Sequence, residues 1–137
     1  MKKYLRIALL FFLLFALCLP LTGCGVTAGA QRIIGESRRY SPAQLEAAMD
    51  VAVRHFRRHF EGCRLTEISY DEAFSDRHAA ELAQQYGAKH AVVLLSTFEV
   101  GPGSDGSLTP GQTYTRWEWI LTSDIPGLWT LRSWGYG

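Results

Sequence analysis

No sign of charge dominates this chain: 14 Lys and Arg stand against 13 Asp and Glu among 137 residues. Nucleic-acid binding needs a clustered positive surface, so nucleic acid is not expected as the main partner. No apolar run reaches the roughly 20 residues of a spanning helix; the longest, Ile7–Leu19, has thirteen. The Gly101–Gly111 loop lacks the spacing and the Lys-Ser/Thr ending of a phosphate-cradling loop, and no internal repeat is visible. Cysteine is scarce, with Cys18, Cys24 and Cys63 only. What the chain does have is the composition of one globular domain, 47% hydrophobic and 12% aromatic, which excludes a largely disordered or collagen-like polymer.

The N-terminus reads in three parts. Lys2, Lys3 and Arg6 form a positive region, Ile7–Leu19 is the apolar run, and Leu21-Thr22-Gly23-Cys24 follows. The length and order fit a signal peptide over residues 1–23. The tetrapeptide resembles the lipobox of bacterial lipoproteins: a branched apolar residue three before the cysteine, small residues at the scissile bond, and a thiol as the nucleophile. The resemblance implies cleavage between Gly23 and Cys24 and a diacylglyceryl thioether on Cys24. The partner it implies is the membrane lipid bilayer, and the location the extracytoplasmic face of the cell membrane. A processed chain keeps Cys63 as its only free thiol, so no internal disulfide is expected and packing alone must hold the fold. Its net charge is −2.

Residues 24–40 read as the lipidated cysteine and a flexible Gly-rich tether, with a docked first strand at Ile33–Ile34 as the alternative. Residues 41–137 read as a single α+β domain. Ser41-Pro42-Ala43-Gln44 is a capping box with proline at the first helical position. Leu45, Met49, Ala52, Phe56 and Phe60 then recur at helical spacing, and Gly62 marks the end, which predicts a helix over 42–61. Strands are predicted at 63–70, 88–101, 112–123 and 128–136, and a second helix over 71–86, with a start near Ser75 or Asp76 as the alternative. Strict alternation puts Tyr114 opposite Trp117, and Trp134 opposite Leu131. The order predicts helices packed on one face of an antiparallel sheet.

Several stretches carry a resemblance to a family: Phe56-x-x-x-Phe60-x-Gly62-Cys63-x-Leu65-x-x-Ile68-x-Tyr70-Asp71-Glu72, then Thr113-Tyr114-x-x-Trp117-x-Trp119-Ile120-Leu121, then Gly127-x-Trp129 and Trp134-Gly135-Tyr136-Gly137. They resemble small uncharacterised lipoproteins of Gram-positive bacteria that carry a domain of unknown function. That domain is similar to the cystatin-like, nuclear-transport-factor-2-like superfamily. The resemblance implies a long N-terminal helix lying in a curved antiparallel sheet. It implies no activity.

No convergent catalytic set is visible, and no metal or cofactor is expected. His55 and His59 have the helical spacing of a metal-ligand pair, but a third ligand is lacking; the plainer expectation is a hydrogen-bonded His59 at the core edge and His55 in water. Cys63, with His59 or His78 as base, is weighed against an inert buried thiol. Tyr70, Asp71, Glu72, Trp117 and Trp119 form the candidate ligand or partner surface; the plainer expectation is that Asp71 caps the next helix and that the tryptophans fill the core. The reading is a non-catalytic binding or accessory domain. One alternative is a small hydrolase or isomerase with His59, Asp71 or Glu72 as acid/base; another is a modulator of a secreted enzyme.

Overall fold

The computed structural model describes residues 24–136. The expected signal peptide, residues 1–23, lies outside the described residues. In chain order the elements are β1 (Gln31–Ile34), α1 (Pro42–His59), β2 (Cys63–Tyr70), α2 (Glu72–Gln85), β3 (His90–Val100), β4 (Thr113–Ser123) and β5 (Thr130–Gly135). They form an α+β fold around one five-stranded sheet of order β1-β2-β3-β4-β5.

The capping box at Ser41 is made: its hydroxyl accepts from the Gln44 amide at 3.2 Å, and Gln44 Oε1 accepts from the Ser41 amide at 2.9 Å. The predicted stripe is the buried side of α1, with Leu45, Met49, Ala52 and Phe56 fully covered. At about 1.5–3 kcal/mol for each large apolar side chain removed from water, this stripe is the main reason the helix holds. It packs on β2, β3 and β4 through Leu65, Ile68, Val92, Leu94, Phe98, Trp119 and Leu121. The eighteen buried residues of this core all lie between Tyr40 and Trp129.

Three expectations are corrected. The sheet is mixed rather than antiparallel, because Gln31–Ile34 docks parallel to β2, with Gln31 opposite Glu67 and Ile34 opposite Tyr70. The stretch read as a flexible tether is therefore largely fixed, and α1 is the crossover of a β-α-β unit. Nor do both helices share a face. Val92 and Leu94 face α1, so alternation along β3 sends Ala91 and Val93 to the other side, where both are buried beside α2. There the Ser75 hydroxyl accepts from the Val93 amide at 3.0 Å. Pairing of β2 with β3 stops at Ser69–Leu95, so α2 satisfies a strand edge that β2 no longer covers.

The third correction concerns which aromatics share a face. Ser96 pairs with Trp117 and Phe98 with Tyr114, so β4 carries one extra residue there, and Arg116 takes φ of 55°. A bulge of this kind slips the alternation by one. Tyr114 thus joins Trp117 on the α1 side, stacked on Phe98 at 5.3 Å between ring centroids. A second slip, between Ile120–Ser133 and Leu121–Leu131, does the same on β5. It turns Trp134 to the face of Leu131 and Trp119, where strict alternation had placed it opposite Leu131.

Candidate functional site

The two slips gather aromatic rings at one end of the sheet, next to the C-terminal end of α1. An open cleft of about 400 Å³ lies there. His55, His59, Phe60, Trp117 and Trp134 line it from α1 and the sheet; Ser104, Asp105, Ser107 and Leu108 line it from the β3–β4 loop. The loop is pinned in place where it leaves β3. Gly101 donates to the Gly62 carbonyl at 2.8 Å, and Gly62 has φ of 72°, with a built Cβ only 2.5 Å from the Gly103 carbonyl carbon. Glycine is needed at 62 on both counts, for the left-handed turn and for the close approach of the loop.

Buried polar atoms in proteins are nearly always hydrogen-bonded. Among the described residues four buried side-chain polar atoms lack a protein partner: His55 Nε2, Ser104 Oγ, Trp117 Nε1 and the Tyr70 hydroxyl. The first three belong to residues that line this one cleft. They are a donor (the Trp117 indole N–H), a hydroxyl that both donates and accepts, and an imidazole nitrogen, each itself covered by neighbouring atoms behind the cleft wall. A second cleft of about 300 Å³ between α2 and the sheet, lined by His78, Leu82, Val93 and Ile120 among others, contains none of the four.

The two histidines reverse their expected roles. His59 is exposed, while His55 is half-buried because Trp134 covers it, with ring centroids 4.0 Å apart. Burial, and then the neighbouring His59, push the His55 pKa down. The rings of His55 and His59 lie 4.3 Å apart. Among the described residues no group of three or more His, Cys, Asp or Glu is placed to hold a metal ion. Cys63 also lines the cleft but is 1% exposed, its thiol directed to the Glu61 carbonyl at 3.7 Å. Burial, and then the charge of Asp105, push its pKa up, the opposite of what an activated thiol requires. Asp105 itself is held ionised by the Ser107 hydroxyl and amide, at 2.6 and 2.9 Å.

Of the five residues expected to form a ligand or partner surface, only Trp117 is at the cleft. Trp119 is fully buried, its indole N–H donating to the Ser96 hydroxyl at 2.8 Å. Tyr70 is 2% exposed and meets Tyr40 edge-on; burial, then the nearby Glu72 charge, raise its pKa to about 12. Asp71 is the N-cap of α2, accepting from the Phe74 amide at 2.7 Å. Glu72 binds the Ser37 hydroxyl and the amides of Arg38 and Arg39, contacts that hold its carboxyl below the usual range. The acids follow the far end of β2, whose eight residues rise about 3.3 Å each, so they stand on the order of 20 Å from His59. The histidine and the two acids proposed as an acid/base set are not brought together.

The sequence signal for Ser104, Asp105 and Leu108 was absent, since a Gly/Ser loop carries no periodicity. Trp134 was misplaced by one unseen bulge. Cys24, the expected lipid site, is exposed. Among the described residues no helix is long and apolar enough to cross a membrane. No protein-family model matches the chain, and no match is found among curated proteins or among solved structures.

Proposed function

We propose that the protein is a lipid-anchored, extracytoplasmic binding domain whose ligand occupies the cleft between α1 and the β3–β4 loop. The reading of the anchor rests on the charged region, apolar run and Leu21-Thr22-Gly23-Cys24 in sequence. The reading of the cleft rests on one observation: three of the four unpartnered buried polar atoms among the described residues belong to residues that line it. Leaving such a group unsatisfied costs about 1–3 kcal/mol, so three in one place argue for a site kept for a partner rather than for packing. The ligand class is a small molecule with an apolar body for Phe60, Trp117 and Trp134 and with mixed donors and acceptors at its edge. The role is non-catalytic. A buried, poorly ionised Cys63 is a weak nucleophile, Asp71 and Glu72 stand at the other end of β2, and the acid nearest at hand, Asp105, is engaged by the Ser107 hydroxyl and amide.

Native mass spectrometry of the protein taken from the membranes of an expressing bacterium tests both parts. The N-terminal peptide should carry diacylglycerol on Cys24, and the folded protein a small-molecule adduct that Trp117→Phe or His55→Leu removes. A bare Cys24 overturns the anchor; an adduct indifferent to both substitutions overturns the site.

A further inference from the structure

The first residue after Cys24 is already part of the folded body. The Gly25 amide donates to the Arg57 carbonyl at 2.9 Å, Val26 donates to the Cys63 carbonyl at 2.8 Å, and the Leu65 amide returns to the Val26 carbonyl at 2.9 Å. A Cβ on Gly25 would meet the Phe56 carbonyl oxygen at 2.7 Å, so this segment lies tight on the end of α1. A lipid on Cys24 thus has no length of free chain to hang from. It brings the C-terminal end of α1 to the headgroup layer.

That end is basic and unpaired. Arg54, Arg57 and Arg58 are all exposed, and their spacing puts them on a common outward side of the helix. The ion pairs among the described residues go to Arg32, Arg39 and Arg64; none reaches these three. From Val51 to Thr66 the chain carries a single acid, Glu61. The helix dipole favours cations in a last turn, which accounts for Arg57 and Arg58 but not for Arg54 a turn further in. Val26, beside the anchor, leaves half of its apolar surface exposed.

We propose that Arg54, Arg57 and Arg58 seat the domain on an anionic phospholipid surface, so that it lies against its membrane with the end of α1 facing the lipid. The placement rests on Cys24 being the lipid site. The charge complementarity stands without it. A basic side chain near an anionic surface gains about 1 kcal/mol, roughly fivefold in partition, so three together are worth on the order of a hundredfold.

The test is residue-resolved labelling of arginines with phenylglyoxal, read by mass spectrometry, on the protein isolated from membranes. It is carried out in vesicles of equal phosphatidylglycerol and phosphatidylcholine and in phosphatidylcholine alone. Arg38, exposed before the opposite end of α1, is the internal reference. Arg57 and Arg58 should react roughly tenfold slower, relative to Arg38, in the anionic vesicles, and about 1 M salt should abolish the difference, since it shortens screening to about 3 Å. Arg57→Glu with Arg58→Glu should release Arg54 as well. Equal relative rates in the two vesicles overturn the proposal. The mass of the N-terminal peptide reads the anchor separately: a bare Cys24 refutes lipidation, while the arginine rates still report whether the chain docks.

Discussion

The imidazole of His55 and the indole of Trp134 lie with ring centroids 4.0 Å apart, and the contact exists because β5 slips its register by one residue before Trp134. The slip converts a residue expected on the far face into the cover of a histidine, and the burial that results lowers that histidine's pKa.

A pH dependence follows. His55 has its pKa lowered from the ordinary 6.5, first by burial and then by His59. A group with a depressed folded pKa binds its proton more readily in the unfolded chain. Its contribution to stability is therefore complete above 6.5 and is lost as the pH falls through the folded value. The Tm of the wild type should drop on acidification just below neutrality, and His55→Leu should flatten that step. A second loss, below the ordinary carboxylate value of 4.5, belongs to Glu72, whose pKa is lowered by the Ser37 hydroxyl and the Arg38 amide. His55→Leu should leave it in place.

Trp117 and Trp119, two residues apart, should respond differently to the same substitution. Trp119→Phe removes volume from the core and the 2.8 Å bond to Ser96, and is expected to cost about 2–3 kcal/mol in urea unfolding. Trp117→Phe removes an indole N–H that has no protein partner. Its stability cost should stay below about 1 kcal/mol, and its effect should appear in ligand retention.

Ser75→Ala strands a buried amide. The Val93 N–H is bonded to the Ser75 hydroxyl, which is 1% exposed. The expected loss is about 1–3 kcal/mol, measured by denaturant midpoint at unchanged slope. Ser75→Thr keeps the acceptor and should recover part of it.

Gly25→Ala should unseat the N-terminal segment while leaving the core intact. The added methyl would meet backbone oxygens of Phe56 and Phe60 at 2.7 and 2.9 Å, atoms that cannot swing aside. Hydrogen exchange at Gly25, Val26 and Leu65 should quicken by about tenfold or more, with Val92 and Leu94 unchanged.

Local chemistry was legible in the sequence and long-range register was not. The start of α1 followed from Ser41, Pro42 and Gln44, and the start of α2 from Asp71, because a cap is a bond between near neighbours. β2 followed from its β-forming residues between Gly62 and Asp71. The end of α1 was placed two residues late: Phe60 closes the helix, and Gly62 makes the turn that receives the β3–β4 loop. Docking of a first strand at Ile33–Ile34 was legible as the alternative to a tether, from its two isoleucines; its parallel pairing was not, because it depends on a partner some 35 residues on. The bulges at Arg116 and near Arg132 have no local mark either, yet they decide where Tyr114 and Trp134 point. The cleft was hidden for that reason. Trp117 was singled out, but its neighbours arrive from a featureless loop and from a strand whose phase had shifted.

The bonds that seat Gly25 and Val26 also impose an order of events. A peptidase must draw several residues around its scissile bond into an extended strand, and an acyl-transferring enzyme must reach the thiol of Cys24. Cys24 itself stays exposed, but with Gly25 already bonded to Arg57 the residues after the scissile bond cannot be drawn out without breaking that seat. On the proposed route, maturation of the N-terminus comes first and closure of the domain around it second, so a chain that folded early would escape its own processing.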